Sequence, residues 1–381
     1  MEFGPDFDAL IERFSPNSDA PIAMAVSGGS DSVALLSLAS DWSNRSKRSL
    51  LVLTVDHGLR PEAADEAEWV AKLAGSLGHP HRTLLWKTPR VSQNAARRAR
   101  YELLAQAAEA SGATILLTGH TFEDVIETAL LRRRRGVRTA AIVGPHLASP
   151  LPSWPLGRGV ALVRPLINSN RLDLQSMLAD RHQDWVEDPS NQDRQFERVR
   201  IRTFLQRHPR LAELATEHVR GTQVTAASDR VQLAEALKRI RVDASGLIET
   251  DDVALTPSLL QILARCASGT ATNPRYGAIT KLLAEINSCG ERRTLNGAWF
   301  QKRTQGMIIG RDPGQGLEQV GAIHDGRYVR DPSGHFPKTE DLPFLMRATA
   351  PSGSDWREIV SERLAHIIQC YQTPLLNPVQ R

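Results

Sequence analysis

Residues 22–36 read IAMAVSGGSDSVALL, an apolar run followed by a glycine turn and a second apolar run. The first run predicts a buried strand, and the run from Val33 predicts a helix. Gly28 and Gly29 predict a tight turn between them, where the absence of a β-carbon lets a ligand approach the backbone closely. The first amides of a helix have no partners within it and can bind an anion. The stretch therefore predicts a phosphate-binding cradle between a strand and a helix.

The predicted ligand loop comprises six consecutive residues: Ser27, Gly28, Gly29, Ser30, Asp31 and Ser32. Its serine hydroxyls are hydrogen-bond donors, and its carboxylate suits a magnesium ion bound to phosphate. The lysine of a Walker-type loop is absent from the stretch. The loop instead resembles the S-G-G-x-D-S pyrophosphatase loop of enzymes that cleave ATP to AMP and pyrophosphate. A serine–glycine turn that only caps a helix is the alternative interpretation.

Composition indicates a globular protein without a disulfide framework. A chain of 381 residues predicts two or three domains, and a net charge of +4 is only a mild bias towards polyanions. Cys266, Cys289 and Cys370 lie far apart and form no C-x-x-C pair, which fits a reducing cytosol. The acidic N-terminus lacks the form of a signal peptide, and no apolar run has membrane-spanning length. We therefore expect a cytoplasmic protein that makes no membrane contact.

Short apolar runs alternate with helical patterns through the first half of the chain. This alternation predicts an α/β fold with a parallel sheet covered by helices. The predicted strands are 22–26, 50–55, 83–86, 114–118 and 160–163, and the predicted helices are 33–39, 63–78 and 94–111, the last closed by Gly112. The proline-rich residues 144–157 predict a loop. Ligands in parallel sheets bind beyond the carboxyl ends of strands, where Asp56, His57, Gly119 and His120 follow predicted strands.

Three regions are predicted. Residues 1–210 form the nucleotide-binding catalytic domain, residues 211–315 a mainly helical domain, and residues 316–381 a small C-terminal region of uncertain fold. Within the second region, Thr256-Pro257 predicts a helix start, and two apolar runs between residues 294 and 309 predict strands that flank a turn.

Further motifs follow the loop in order: DHGLR at 56–60, ARRARY at 96–101, GHTFEDVIET at 119–128, RG at 135–136, RPL at 164–166, EDPSN at 187–191 and RVRIR at 198–202. The ordered set resembles the bacterial tRNA(Ile)-lysidine synthetases over about residues 20 to 205. The resemblance implies a parallel-sheet fold of the adenine nucleotide α-hydrolase type.

The resemblance also implies a reaction. Family members use ATP to join the ε-amino group of L-lysine to the wobble cytidine of the isoleucine tRNA with a CAU anticodon, through an adenylated cytidine. The products are lysidine, AMP and pyrophosphate, and codon reading changes from AUG to AUA. The implied cofactors are ATP and Mg2+, and the implied partners are that tRNA and lysine. The oligomeric state stays open.

Four residues are the candidate catalytic set: Asp31, His120, Asp124 and Glu127. The last three are spaced i, i+4 and i+7, so they share one face if a helix begins at His120. An imidazole and two carboxylates suit metal binding, or the holding and deprotonation of an ammonium group. Asp31 and Asp124 are the candidate Mg2+ ligands. The alternative is that the acids are only favourable charges near a helix N-terminus.

Basic residues supply the remaining candidates. The candidate ATP-binding residues outside the loop are Asp56, His57, Arg97 and Arg100, and the candidate tRNA-binding residues are Arg135, Arg194, Arg198, Arg200 and Arg202. Arginines suit both phosphate groups and RNA backbone. The alternatives are a satisfied strand-end histidine for His57 and solvated helix faces for the arginines.

The chain departs from the family pattern at two places. Glu123 stands where the family usually has the first of two aspartates, and its extra methylene moves the carboxylate. Val137-Arg138 stands where the family generally has Ser-Gly. The alternative functions are a tRNA cytidine thiolase of the same superfamily, which commonly uses cysteine pairs, and a non-catalytic RNA-binding protein with a nucleotide fold.

Overall fold

The computed structural model describes residues 1–17, 19–58, 62–87, 92–136, 144–187, 195, 197–286, 290–315, 319–320, 323–331, 351 and 356–373. The chain divides into two compact units. Unit 1 comprises Met1–Leu151, Val160–Asp229 and Thr373–Arg381, and unit 2 comprises Pro152–Gly159 and Arg230–Gln372. Because a compact unit need not be an independently folding domain, the division at residues 210 and 315 stays a prediction.

Helices and strands alternate along unit 1, as its sequence predicts. Its elements are α1 (Pro5–Phe14), β1 (Ile22–Ala25), α2 (Ser30–Ser46), β2 (Leu50–Asp56), α3 (Glu62–Ser76), β3 (His81–Leu85), α4 (Gln93–Ser111), β4 (Ile115–Thr118), α5 (Phe122–Arg134), β5 (Ala148–Pro150), β6 (Ala161–Val163), α6 (Arg171–Asp180), α7 (Glu197–Arg207) and the start of α8 (Pro209–Lys238). The left-handed Gly112, with φ of 70°, ends α4.

The sheet of unit 1 has the strand order β3-β2-β1-β4-β6-β5. Every neighbouring pair is parallel except β5 and β6. Ile22, Ala23 and Met24 of β1 are fully buried, as expected for a central strand covered on both faces. The chain moves from β1 to β2 and β3 on one side, and β4 lies on the other side of β1. This reversal of strand order opens a crevice at the carboxyl ends of β1 and β4, where such folds bind ligands.

The five predicted strands of the first half are confirmed within a few residues. The predicted loop at 144–157 is wrong at Ala148–Pro150, which forms β5 and pairs antiparallel with β6. Pro150 has no amide proton to donate, and it is tolerated because β5 is at the edge of the sheet.

Unit 2 contains two further sheets. Its elements after α8 are β7 (Ile240–Val242), β8 (Ile248–Thr250), α9 (Pro257–Ser268), α10 (Tyr276–Glu285), β9 (Arg292–Leu295), β10 (Ala298–Lys302), β11 (Met307–Arg311), β12 (Gln319–Val320), β13 (Ile323–His324), β14 (Tyr328–Arg330), β15 (Trp356–Glu358) and α11 (Val360–Tyr371). The first sheet has the order β7-β8-β11-β10-β9, and the second has the order β12-β13-β14-β15. The region 211–315 is therefore helical up to Lys238 and mixed beyond it.

One prediction for this later region is confirmed, and a second is confirmed in part. Thr256 is the N-cap of α9, and its hydroxyl accepts a hydrogen bond from the Leu259 amide at 3.2 Å. The predicted turn between the two apolar runs is present between β10 and β11, but the first run is not one strand. A turn at Asn296 and Gly297, both with positive φ, divides it into β9 and β10. No helix in the described part of the chain is long and apolar enough to cross a membrane.

Candidate active site

The glycine loop joins β1 to α2 as the sequence predicts. Gly28 has φ of +89°, and a β-carbon there would lie 3.3 Å from a methyl group of Val186. The Val186 amide also donates to the Gly28 carbonyl at 2.9 Å. Positive φ and close packing together explain why glycine stands at this position. Val186 therefore holds the glycine loop in place through one hydrogen bond and one packing contact.

The serines of the loop have different roles. The Ser32 side chain is buried, donates to the Gly29 carbonyl at 2.9 Å and accepts from the Ser27 amide at 3.2 Å. These contacts hold the turn in shape. The Ser30 hydroxyl accepts from Gln175 of α6 at 3.3 Å, so α6 lies beside the loop. Helix geometry leaves the first amides of α2, which begins at Ser30, available to an anion.

Asp31 forms an ion pair that the sequence analysis missed. The Arg171 guanidinium contacts both carboxylate oxygens, with Nη2 2.7 Å from Oδ2 and Nε 3.0 Å from Oδ1. Burial raises the pKa of Asp31, and the carboxylates of Asp124 and Glu123 raise it further, whereas Arg171 opposes the shift. Arg171 is 140 residues away in sequence and lies in none of the recognised motifs. Its position directly after Asn170 predicts the start of a helix, but it does not indicate a contact with the glycine loop.

Gly119 brings the end of β4 against the glycine loop. A β-carbon at Gly119 would lie 2.7 Å from the Asp31 carbonyl oxygen and 3.0 Å from the Ser32 α-carbon. Only a residue without a side chain allows this approach. The contact places His120, the next residue, beside the start of α2.

His120 does not begin a helix, so the expected shared face is wrong for it. α5 begins at Phe122 after the N-cap Thr121, and His120 lies before both. Its Nδ1 atom is hydrogen-bonded to the Thr118 hydroxyl at 2.9 Å. Burial lowers the pKa of His120 to about 3, and Arg164, Arg100 and Arg97 contribute to this shift. The imidazole is therefore neutral near pH 7.

Two predicted acids lie in the first turns of α5. Asp124 accepts from the Thr121 amide at 3.0 Å and from Arg198 at 3.3 Å. Glu127 is only 2% exposed, and its Oε1 atom accepts from Arg202 at 2.9 Å. Its Oε2 atom is buried and has no hydrogen-bond partner among the described residues. Burial raises the pKa of Glu127, although Arg202 opposes the shift.

Glu123, the departure from the family pattern, contacts α6. Its Oε1 atom accepts from the Arg171 amide at 3.0 Å, which satisfies a free donor at the helix N-terminus. Glu123 and Asp31 therefore contact the same residue, one through its backbone and the other through its side chain.

Asp56 and His57 lie at the carboxyl end of β2. Asp56 is buried and accepts from the Gly58 amide at 2.8 Å, an arrangement that closes the turn after the strand. The His57 ring meets Trp86 edge to face, with 6.1 Å between ring centroids. Their predicted contact with ATP stays a prediction.

Arg97 and Arg100 of α4 act electrostatically on His120 and contribute to its lowered pKa. Their guanidinium carbons are 5.0 and 5.3 Å from the Tyr101 ring centroid. Arg164 is buried and donates to the His146 carbonyl at 2.7 Å. Three arginines and one carboxylate, Asp124, therefore act on the neutral imidazole, a charge balance that suits a negatively charged ligand.

Of the arginines predicted to bind tRNA, three lie on α7 (Arg198, Arg200 and Arg202), and Arg135 is the C-cap of α5. Arg135 pairs with Glu197 at 2.7 Å, and Arg198 and Arg202 contact the acids of α5. Arg200 is exposed and donates to the Gln195 carbonyl at 2.9 Å. Arg194, and the departure at Val137-Arg138, lie outside the described residues.

The donor set fits a magnesium ion that arrives with a nucleotide. Among the described residues, no three His, Cys, Asp or Glu side chains are grouped so that they could hold a metal ion alone. Magnesium is usually held by one or two carboxylates together with substrate phosphates. Asp31 and Asp124, which influence each other electrostatically, can supply those carboxylates beside the glycine loop.

Comparisons with known proteins identify the family to which the chain belongs. A family model described as a PP-loop domain matches residues 5–209. The tRNA(Ile)-lysidine synthase of Hyphomonas neptunium is 37% identical over 301 residues, which cover 75% of this chain and 80% of that protein. The tRNA(Ile)-lysidine synthase of Methylobacterium nodulans is 36% identical over 332 residues, which cover 81% of this chain and 95% of that protein. The chain therefore belongs to the tRNA(Ile)-lysidine synthase family, with a PP-loop domain over residues 5–209.

Proposed function

We propose that this chain uses ATP to join the ε-amino group of L-lysine to the wobble cytidine of the isoleucine tRNA with a CAU anticodon. The products are lysidine, AMP and pyrophosphate. The contact of Gly119 with the Asp31 backbone carries the proposal, because it unites the glycine loop with His120 and the acids of α5. The names of the relatives support the tRNA substrate. A reaction that needs ATP and tRNA also supports a cytoplasmic location.

The first chemical step is assigned to the glycine loop. The cytidine carbonyl oxygen is a poor leaving group, so it must be adenylated before an amine can displace it. The oxygen attacks the α-phosphorus of ATP, and pyrophosphate leaves. The amides at the start of α2 are placed to stabilise the negative charge on that pyrophosphate. Mg2+ held by Asp31 and Asp124 would supply further positive charge there.

The second step is assigned to the acids of α5. The unpartnered Oε2 atom of Glu127 is a buried acceptor that suits the ammonium group of lysine. The raised pKa makes this carboxylate a stronger base than an exposed one, so it can take the proton that the amine must lose. His120, with its lowered pKa, is a hydrogen-bonding group rather than the base. The amine then attacks the pyrimidine carbon, and AMP leaves with the oxygen.

The test is to incubate the full chain with ATP, Mg2+, labelled lysine and bulk tRNA, and to identify the labelled nucleoside by mass spectrometry. We expect labelled lysidine and stoichiometric AMP. A matched pair of variants is Glu127→Gln, which removes the proposed base, and Glu285→Gln, an exposed acid of α10 in unit 2. Only the first should strongly lower the rate of lysidine formation.

Other outcomes distinguish the alternatives. Incorporation of sulfur without lysine would favour a cytidine thiolase. Absence of ATP turnover in the presence of tRNA and lysine would favour a non-catalytic RNA-binding protein. Either result contradicts the proposal.

A further inference from the structure

Arg171 neutralises the carboxylate that the nucleotide's metal must approach. Both oxygens of Asp31 accept from its guanidinium, and the two side chains are only 19% and 18% exposed. Asp124 and Glu123 also act electrostatically on Arg171, so one guanidinium interacts with three carboxylates. Asp31 therefore has a counter-ion without any added cation, although the three carboxylates together outnumber this one guanidinium.

Arg171 already uses both oxygens of Asp31, so a magnesium ion that binds this carboxylate competes with the guanidinium. Like charges a few ångströms apart repel strongly in a partly buried site. If the nucleotide brings Mg2+ to Asp31, Arg171 must move away and find another anion. A buried arginine without a partner would be costly, so its new partner has to be close.

A polyphosphate on the glycine loop would be such a partner, because α6 lies beside the loop. Gln175, one turn after Arg171 on α6, already contacts the Ser30 hydroxyl of the loop. Arg171 begins α6, and its amide is held by Glu123, so only the side chain has to turn. The planar guanidinium matches the geometry of phosphate oxygens.

We propose that Arg171 exchanges partners: it is the counter-ion of Asp31 in the nucleotide-free protein and a ligand of the polyphosphate once Mg2+ and nucleotide are bound. The exchange rests on the proposed use of ATP, and not on the identity of the acceptor nucleoside. It neutralises the Asp31 carboxylate before ATP arrives and opposes metal binding there until phosphate is present.

The first experiment measures Mn2+ alone, without nucleotide, by electron paramagnetic resonance. Arg171→Gln removes the competing cation, so Mn2+ should bind at least about tenfold tighter than to the unaltered chain. The matched control is Arg181→Gln, which breaks an ion pair between the far end of α6 and Asp41 of α2, and it should leave Mn2+ affinity unchanged. Equal Mn2+ affinity in the unaltered chain and Arg171→Gln would overturn the proposal.

The second experiment measures inorganic pyrophosphate binding by calorimetry in metal-free buffer. Asp31→Asn releases Arg171, so pyrophosphate should bind tighter, and the gain should disappear in the double variant with Arg171→Gln. A gain that persists in the double variant overturns the proposal. If Arg171→Gln does not fold, Arg171→Lys replaces it, with a smaller Mn2+ gain expected because one ammonium still competes. Neither probe contains tRNA or lysine, so a failure to form lysidine would refute the proposed function and leave this exchange separately testable.

Discussion

Gly119 and Asp31 touch through their backbones at the point where the strand order of the sheet reverses. The position of a β-carbon on Gly119 is only 2.7 Å from the Asp31 carbonyl oxygen. That carbonyl belongs to the first turn of α2, so neither side can shift without disturbing the glycine loop. The relative position of the loop and of His120 therefore depends on a residue with no side chain.

Gly119→Ala should disrupt nucleotide binding. The added methyl group must displace helix backbone, and overpacking of this kind costs about 1–3 kcal/mol of stability. We expect a large loss of ATP affinity, measured by calorimetry, together with a lower melting temperature. Gly75→Ala is the matched control, because a β-carbon there meets nothing within 4 Å. An unchanged ATP affinity in folded Gly119→Ala would contradict the importance of this contact.

Substitutions at Glu123 distinguish two possible roles of its carboxylate. It could be a metal ligand, or it could accept the hydrogen bond from the amide at the start of α6. Glu123→Gln keeps an oxygen that accepts from the Arg171 amide, so its effect on ATP turnover should be mild. Glu123→Asp is too short to reach that amide and should be worse. A metal ligand would give the opposite order, with aspartate tolerated and glutamine severe. The rate of steady-state AMP formation measures the effect of both substitutions. Asp124→Asn removes charge from a proposed metal ligand, so it should lower that rate severely in either case.

The sequence predicts the central part of this fold because the decisive signals are local. Apolar runs, Gly28 and Gly112 each act within a few residues, and the structure confirms the strands and helix end that they predict. The short strand at Ala148–Pro150 has no such signal. Its pairing depends on β6 and on its place at the sheet edge, which are properties of the assembled sheet.

The candidate site shows the same limit. The loop, His120, Asp124 and Glu127 occur in recognisable motifs, and the structure places them around the carboxyl ends of β1 and β4. Arg171 could not be found, because its partner Asp31 is 140 residues away. Nor could the motif show that Arg198 and Arg202 face the carboxylates of α5, since that contact depends on how α7 packs.

His120 should stay neutral across the working range of pH. Its pKa of about 3 lies below the ordinary value of 6.5, so the folded state disfavours protonation. Its contribution to stability is therefore complete above pH 6.5 and is lost as pH falls from there towards 3. The measurement is an NMR titration of the imidazole proton that disappears in His120→Gln. That resonance should not shift between pH 8 and pH 5, and a midpoint near 6.5 would contradict the assignment.

Glu127→Gln should affect lysine and not ATP. Loss of the buried charge removes the partner of the lysine ammonium group, so KM for lysine should rise about tenfold or more, since a hydrogen bond to a charged group contributes about 1.5–3 kcal/mol. KM for ATP should be nearly unchanged. The measurement is AMP formation against each substrate in turn, with Glu123→Gln as the neighbouring control. Equal increases in the KM for lysine and the KM for ATP would contradict the assignment of Glu127 to lysine binding.

The arginines of α7 should differ in how they bind tRNA. Arg200 is exposed, donates to the Gln195 carbonyl and acts electrostatically on Glu197, and its exposure lets RNA phosphate reach the guanidinium. Arg198 already faces the Asp124 carboxylate and should release fewer counterions when RNA binds. Arg200→Ala should lower the slope of log affinity against log salt by about one, and Arg198→Ala should lower it less.

The measurement is tRNA affinity from about 50 to 200 mM salt, a range in which phosphate contacts dominate the change. Arg181→Ala on α6 is the control, because that arginine is paired with Asp41. Equal slopes for Arg200→Ala and the unaltered chain would show that α7 does not contact the RNA backbone through this residue.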